Sequence, residues 1–242
     1  MLSNLKNYYQ KQFFAPGILG LFINPFYFAR KGLFKNVKYL SSNIKGGKLL
    51  DVGCGRKPYK DLFKVQEYIG MDVEQSGHSH EKEDIDIFYD GTYFPLESAL
   101  FDHVITNQVL EHVFTPQLFL SEINRVLKPG GNLLLTVPFI WDEHEQPYDF
   151  ARYSSFGLKA MLMENNFQIK ESKKSVNDIR VISQLMNAYI FKTMLPRNKW
   201  LNLLLTLLLI APINISGLLL SKLLPKNDDL YLDNIILAKK FK

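Results

Sequence analysis

The sequence predicts an α/β fold with a seven-stranded, mostly parallel sheet covered by helices on both faces. Short apolar runs recur through the middle of the chain, and helical patterns separate several of them. Of its 242 residues, 47% are apolar and 22% are charged, as is typical of globular proteins. This composition excludes general disorder and a fibrous repeat.

Seven runs are predicted as strands because each has the length and apolar content of a buried strand. They cover 48–52, 68–73, 84–89, 102–106, 132–137, 167–171 and 234–239. The clearest helix is predicted over 115–127, where Thr115 can cap the helix and Pro116 suits the first turn. The glycine-containing run 128–131 should end it, and 179–195 should form another helix.

The chain is divided into an arm at 1–45, a core at 46–175, an insertion at 176–228 and a closing strand at 229–242. The arm is rich in apolar residues over 13–34, but Pro16 and Pro25 interrupt it, so it fits neither a secretory signal nor a spanning helix. Two interpretations stay open. Residues 13–29 contact a membrane surface, or the arm packs against the core or the insertion.

The insertion contains 22 uncharged residues at 200–221, enough to span a bilayer. A single crossing would, however, prevent the closing strand from joining the sheet. Pro212 is expected to divide the stretch into two short helices that form a hairpin. This hairpin would dip into a membrane or cap an acceptor pocket. The alternative is a buried helical subdomain packed with the arm.

The net charge of +5 permits an anionic membrane or a nucleic acid as partner. Cys54 is the only cysteine, which excludes an internal disulfide and indicates a reducing compartment. We therefore expect a cytoplasmic protein, with peripheral attachment to the membrane left open.

Polar and glycine residues follow the predicted strands, at the sheet edge where open α/β proteins bind ligands. They are Asp51, Gly53, Gly55, Asp72, Asp90, Gly91, Asn107 and Gln108. A dinucleotide fingerprint would have a third glycine at position 58, which is Pro58 here. This disfavours a nucleotide-dependent oxidoreductase and favours a nucleoside ligand without a phosphate.

Five segments in order carry a family resemblance: LLDVGCG, YIGMDVE, DGTYFPLESALFDHVI, VLEHV and LKPGGNLLLTVP. The chain resembles the Rossmann-like, class I S-adenosylmethionine-dependent methyltransferases over 46–168, with 234–239 as the closing strand. The resemblance implies that S-adenosylmethionine is the cofactor and that the chain is a methyltransferase.

On the methionine side of the cofactor, the resemblance places Gly53, Cys54 and Gly55 along the ligand, and Asp51 orients their loop. Cys54 should contribute its backbone rather than its thiol. The family's third glycine is replaced by Lys57, a departure that concerns the shape of the loop.

On the nucleoside side, the resemblance assigns Asp72 to the ribose hydroxyls and Val73 to the adenine. Asp90 matches the position that accepts from the adenine amino group, and Gly91 can add a backbone contact. The segment 107–108 should line the methyl donor and the acceptor entrance.

The acceptor should meet the segment 141–153, which combines titratable, aromatic and cationic side chains. His144 is the candidate general base, needed only where the acceptor must lose a proton. The candidate substrate-binding residues are His112, Tyr148, Arg152 and Tyr153. Two structural alternatives remain: Asp149 and Arg152 can simply pair to hold the loop, and His112 can be a structural residue at a helix start.

No metal site is predicted, because His78 and His80 lack a complete set of ligands nearby. The leading hypothesis is a methyltransferase acting on a small-molecule, glycan or lipid-linked acceptor. The alternative is a degenerate methyltransferase domain that serves as a membrane-attached scaffold. A nucleic acid partner is unlikely, because 107–110 reads Asn-Gln-Val-Leu instead of the D/N-P-P-Y/F motif of base-amino methyltransferases.

Overall fold

The computed structural model describes residues 8, 11–74 and 84–241. The chain forms two compact units. The sheet unit consists of Asn36–Phe139, Glu143–Lys173 and Asn234–Lys242. The helical unit consists of Met1–Lys35, Ile140–Asp142 and Lys174–Asp233. His78 and His80, considered above as metal ligands, lie outside the described residues.

Seven strands form one sheet in the order β3-β2-β1-β4-β5-β7-β6. Their bounds are β1 Lys48–Val52, β2 Glu67–Val73, β3 Ile87–Tyr89, β4 Phe101–Asn107, β5 Leu127–Pro138, β6 Phe167–Ser175 and β7 Asp233–Lys240. The pairs β1–β2, β1–β4, β2–β3 and β4–β5 are parallel. The predicted fold class is confirmed, with the order changing direction between β1 and β4.

The core of the sheet unit is built from the apolar strand residues and from two helices, α3 at Pro116–Val126 and α4 at Ser155–Glu164. On α3, Phe119, Leu120 and Ile123 are buried at the spacing of one helix face. On α4, Leu158 and Leu162 are buried one turn apart. The helices therefore fix the strands whose carboxyl ends carry the site.

One detail at α3 differs from the expectation. Thr115 occupies the capping position, but its side chain accepts no hydrogen bond from the helix, so Pro116 in the first turn is the remaining start signal. The helix ends at Val126, just before the run 128–131, and this run belongs to β5, which begins at Leu127. Lys128 Nζ holds this strand start, lying 2.9 Å from both carboxylate oxygens of Asp102.

The helical unit contains α1 at Ile18–Ile23, the first part of α2 at Tyr27–Leu40, and α5 at Arg180–Thr193. Buried amides tie the arm to the insertion. Gln184 Oε1 accepts from the backbone N–H groups of Phe28 and Ala29, at 3.1 Å each. Asn214 Nδ2 donates to the carbonyl of Leu21 at 2.9 Å. The arm therefore packs against the insertion, one of the two interpretations left open above.

The expected hairpin at Pro212 is wrong. The chain forms one helix of 25 residues, Lys199–Leu223, made of α6 at Lys199–Leu205, a π-helical turn at Thr206–Ile210 and α7 at Ala211–Leu223. Pro212 lies in the first turn of α7, where its missing N–H is tolerated. The wider π turn before it absorbs the irregularity, so the helix continues without reversing.

Candidate active site

A cavity of about 600 Å³ lies in the sheet unit, formed by the loops that follow β1, β2, β3, β4 and β5. Its volume is within the usual range for small-molecule sites. Nine of the residues singled out from the sequence line it: Gly53, Gly55, Asp72, Val73, Asp90, Gly91, Gln108, His112 and Tyr148. The structure therefore gathers at one edge side chains from five separate loops.

The loop after β1 has the glycine geometry that the sequence indicates. Gly53 adopts a left-handed conformation with φ +72°, and its N–H donates to the carbonyl of Met71 at 2.8 Å. A Cβ at Gly53 would lie 2.3 Å from Val109 Cγ2. The cavity wall at this point is therefore bare backbone, with no room for a side chain.

Lys57 explains how the loop tolerates the missing third glycine. Its backbone is left-handed, with φ +48°, a conformation that costs a non-glycine residue roughly 1 kcal/mol or more. Its side chain crosses Gly70, where a Cβ would lie 2.3 Å from Lys57 Cε, and its Nζ lies 2.7 Å from Asp86 Oδ2. This ion pair is almost inaccessible on the lysine side and anchors the loop to the start of β3.

Asp72 connects the end of β2 to the glycine loop. Its Oδ2 accepts from the N–H of Gly55 at 2.8 Å, and its Oδ1 accepts from the N–H of Val73 at 2.8 Å. The side chain is buried, yet it lines the cavity. The carboxylate is thus fixed beside the glycine loop, at the cavity wall.

Asp51 and Cys54 lie behind this wall and do not line the cavity. Burial raises the pKa of Asp51 to about 7, although the Tyr68 hydroxyl donates to its Oδ2 at 2.5 Å and opposes the rise. Burial also raises the pKa of the Cys54 thiol. The Cys54 sulfur sits where a Cβ on Gly70 would meet it, so the thiol packs against β2.

The raised pKa of Asp51 predicts a pH dependence of stability. Between its unfolded pKa near 4 and its folded pKa of about 7, the folded state holds a proton that the unfolded state has lost. The free energy of unfolding therefore falls as pH rises through this window, by up to about 4 kcal/mol. We expect Asp51→Asn to remove this pH-dependent component. In urea denaturation, the free energy of unfolding of the variant should therefore rise relative to that of the wild type between pH 5 and pH 8. Parallel pH profiles for the two proteins would contradict the assignment.

The loop after β3 carries Asp90 and Gly91. Asp90 Oδ1 accepts from the N–H and hydroxyl of Thr92, at 2.8 and 2.6 Å, and these bonds lower the pKa of Asp90. Gly91 is left-handed, with φ +87°. The turn therefore holds an ionised carboxylate at the cavity wall.

Asn107, the last residue of β4, and Gln108 differ in whether they line the cavity. Gln108 lines the cavity, and its Nε2 donates to Thr136 Oγ1 at 3.2 Å. Asn107 is not a lining residue, and its Oδ1 accepts from the same Thr136 hydroxyl at 3.5 Å. Thr136 on β5 thus positions both amides.

Two imidazoles lie together beside the loop after β4, and His112 lines the cavity whereas His144 does not. The rings of His112 and His144 have centroids 4.7 Å apart. His112 Nδ1 donates to the carbonyl of Tyr148 at 2.8 Å. His144 Nδ1 lies 3.2 Å from Asp149 Oδ2. His144 Nδ1 also lies 3.5 Å from Arg152 Nη2, and His112 Nε2 lies 3.8 Å from both Glu111 Oε1 and Glu145 Oε2.

Asp149 and Arg152 form the pair that the sequence left as a structural alternative. Arg152 Nη1 lies 2.6 Å from Asp149 Oδ1, and Arg152 Nη2 lies 2.7 Å from Oδ2. Burial alone would raise the pKa of Asp149, but the bonds from Arg152 and from the N–H of His144 lower it to about 2. Arg152 does not line the cavity, so this pair orients His144.

The two tyrosines predicted to bind the substrate differ in whether they line the cavity. Tyr148 lines the cavity, whereas Tyr153 does not, and its hydroxyl donates to the carbonyl of Leu110 at 3.4 Å. Burial raises the pKa of Tyr153 to about 12. Tyr153 therefore packs behind the site.

Several lining residues were not singled out individually from the sequence: Glu74, Tyr89, Val109, Val113, Phe114, and Glu145 and Phe150 within the predicted acceptor segment 141–153. Glu111, a fully buried carboxylate next to His112, was likewise given no role. The signal for both acids was available, since Glu111 and Glu145 are each adjacent in sequence to a singled-out histidine. The two acids come together through backbone hydrogen bonds between segments remote in sequence. The N–H groups of Phe150 and Ala151 donate to the carbonyl of Glu111, at 2.8 and 3.2 Å.

Comparison with known proteins supports the methyltransferase family that the sequence motifs resemble. Residues 26–172 match a family model described as a methyltransferase domain. A probable S-adenosylmethionine-dependent methyltransferase of Mycolicibacterium smegmatis is 32% identical over 105 residues, covering 41% of each chain. The ubiquinone biosynthesis O-methyltransferase of Coxiella burnetii is 30% identical over 112 residues, covering 41% of this chain and 48% of that protein. The alignments thus span less than half of these relatives.

Among solved structures, the [4+2]-cyclase SpnF is similar, with a TM-score of 0.55 and 20% identity over 86% of this chain and 80% of that one. At this identity the likeness shows the fold alone. The family assignment is therefore carried by the domain match over more than half of the chain, together with the strand order. The chain belongs to the class I S-adenosylmethionine-dependent methyltransferases.

Proposed function

We propose that this protein transfers a methyl group from S-adenosylmethionine to a hydroxyl group of a small, lipid-linked acceptor at the cytoplasmic surface of a membrane. One observation carries the proposal. A single cavity has the glycine loop and Asp72 along one part of its wall, and His112, Glu145 and Tyr148 along another. Donor and acceptor can therefore meet in one enclosed space, as a direct methyl transfer requires.

The donor fits the wall formed by the loops after β1, β2 and β3. The bare backbone at Gly53 and Gly55 gives the methionine portion close access. The fixed carboxylate of Asp72 accepts from the ribose hydroxyls, and Val73 packs against the adenine. Asp90 accepts from the adenine amino group through the carboxylate that Thr92 holds ionised.

The acceptor side favours a group that loses a proton on methylation. Transfer from a sulfonium is an in-line displacement, and a hydroxyl must give up its proton to become a neutral ether. The two neighbouring imidazoles, with Asp149 and Arg152 orienting His144, are titratable groups that can take up that proton. The name of the Coxiella relative, an O-methyltransferase, favours oxygen as the accepting atom.

The helical unit supports the membrane part of the proposal. The helix Lys199–Leu223 is long and apolar enough to cross a bilayer, but only 28% of its most apolar window is buried. Trp200, Leu208 and Leu219 are 82%, 60% and 57% exposed. The sequence has no acidic residue between Asp178 and Asp228. An exposed apolar helix in a cationic segment fits the surface of an anionic membrane.

The topology favours a helix lying along the surface over one that crosses. β7 lies between β5 and β6 in the sheet and follows this helix in the chain. One crossing would place β7 on the opposite side of the bilayer from both neighbours. The helix therefore contributes its exposed apolar side chains to the interface while both of its ends stay on the cytoplasmic side.

The proposal is tested with methyl-labelled S-adenosylmethionine, the full chain, and acceptors from a soluble extract or from membrane vesicles rich in anionic lipid. We expect protein-dependent label in the lipid-extractable fraction. The triple variant Trp200→Ser, Leu208→Ser and Leu219→Ser should bind S-adenosylmethionine normally by calorimetry, but should lose at least about tenfold in vesicle sedimentation and in lipid labelling.

The matched control is Phe156→Ser, which removes an equally exposed aromatic side chain from the sheet unit and should change neither measurement. Label confined to soluble acceptors, with unchanged transfer by the triple variant, contradicts the membrane proposal. Donor binding without transfer to any fraction supports the alternative of a cofactor-binding scaffold.

A further inference from the structure

Glu111, His112 and His144 form a compact cluster, which borders the cavity through His112. One possible ligand atom from each residue lies within 4.8 Å of the others. His112 Nε2 is already 3.8 Å from Glu111 Oε1. Two imidazole nitrogens and one carboxylate oxygen are ligands that divalent transition metals prefer.

We propose that these three side chains bind a divalent transition-metal ion, which holds and activates the hydroxyl of the acceptor. This proposal rests on the proposed methyl transfer and deepens it. It also replaces the expectation that no metal is involved, and it makes His144 a ligand rather than a general base. Glu145 Oε2 lies 3.8 Å from His112 Nε2, so a second carboxylate stands beside the ion at the cavity wall.

The distances suit an ion after a small contraction. Metal bonds to nitrogen and oxygen of about 2.0–2.2 Å place neighbouring ligand atoms roughly 3–3.5 Å apart. The ligand atoms, at most 4.8 Å apart, therefore close by up to about 1.3–1.8 Å, which rotation of imidazole and carboxylate groups can supply. The backbone frame is already fixed, since the N–H of Phe150 donates to the carbonyl of Glu111 at 2.8 Å.

The hydrogen bonds around the cluster are those expected of metal-binding histidines. The Nδ1 atom of His112 donates to a backbone carbonyl, and that of His144 faces the Asp149 carboxylate. These partners fix the rings, and the bond from His112 Nδ1 leaves its Nε2 as the metal-binding atom. Glu111 supplies a negative charge at a position that is fully buried, where a nearby cation lowers the cost of burying it.

The proposed step is balanced without a further reactant. The hydroxyl oxygen of the acceptor binds the ion and loses its proton to water. That oxygen forms a bond to the methyl carbon as the carbon–sulfur bond breaks, and S-adenosylhomocysteine leaves as a neutral thioether. The acceptor class is therefore one with an ionisable hydroxyl group able to reach the ion.

The test uses Co²⁺ added to the metal-free full chain, followed by visible absorption and equilibrium dialysis. We expect one Co²⁺ per chain and an absorption spectrum typical of nitrogen and oxygen ligands. His112→Gln and His144→Gln should each weaken Co²⁺ binding at least tenfold. Glu111→Gln should do the same, and its thermal melting reports whether the buried substitution still folds.

Two controls address the other histidines. His103 lies outside the cluster, with Nδ1 3.1 Å from the Asn132 amide, and His103→Gln should retain the Co²⁺ site. The double variant His78→Ala and His80→Ala should also retain it. Equal Co²⁺ affinity in the wild type and in His112→Gln or His144→Gln, or loss of the site in the His78/His80 variant, overturns the proposal.

Binding of S-adenosylmethionine to the metal-free chain, measured by calorimetry, separates this inference from the proposed function. Donor binding without Co²⁺ binding refutes the metal site and leaves methyl transfer standing. Co²⁺ binding without donor binding refutes the methyl-transfer proposal.

Discussion

Replacing Asp72 by alanine is expected to lower the affinity for S-adenosylmethionine by about 100-fold or more. The variant loses a carboxylate placed to accept from two ribose hydroxyls, and hydrogen bonds to a charged group contribute about 1.5–3 kcal/mol each. It also loses the acceptor that holds the N–H of Gly55 at 2.8 Å. Isothermal titration calorimetry of the wild type and the variant measures this loss directly.

Asp61→Ala is the matched control for Asp72→Ala. Asp61 is an exposed carboxylate in the turn that follows the same glycine loop, and it does not line the cavity. Its removal should change donor affinity less than twofold. Donor affinity retained within threefold in Asp72→Ala, with unchanged folding, would show that the ribose is bound elsewhere.

Gly53→Ala is expected to destabilise the fold by about 2–4 kcal/mol and to weaken donor binding at least tenfold. The left-handed backbone at φ +72° costs alanine about 1–2 kcal/mol. The new Cβ would also lie 2.3 Å from Val109 Cγ2, and such overpacking costs typically 1–3 kcal/mol. Urea denaturation and calorimetry measure the two effects.

Two further variants separate the cost of the left-handed backbone from the cost of the contact between the new Cβ and Val109. Gly46 is also left-handed, at φ +68°, but a Cβ there would meet nothing within 4 Å. Gly46→Ala should therefore show the backbone cost alone, with unchanged donor binding. Combining Gly53→Ala with Val109→Ala should recover part of the lost stability. If Gly46→Ala and Gly53→Ala cost the same, close packing at the cavity wall is not the cause.

The strands were predictable because buried parallel strands are short apolar runs. The predicted 48–52 coincides with β1, Lys48–Val52. The position of the cavity wall proposed for the donor was predictable for a related reason, since the carboxyl ends of parallel strands meet at one edge. Asp72 and Gly53 follow directly from this rule, without knowledge of side-chain packing.

The errors arose where the outcome depended on contacts remote in sequence. Pro212 predicts a break by local propensity, but a π turn and the buried amide of Asn214, which donates to the carbonyl of Leu21, keep the helix continuous. The cluster of Glu111, His112 and His144 was missed because a contact between residues about 30 positions apart leaves no periodic pattern in the sequence.

The π turn at Thr206–Ile210 controls the phase of the helix that contains it. Each residue advances an α-helix by about 100°, so removing one residue from this turn would rotate every side chain of α6 by roughly that angle relative to α7. Asn214 keeps α7 in place, so Trp200 and its neighbours would turn to a different azimuth. Deleting one residue of the π turn would therefore change which apolar side chains of α6 face outward.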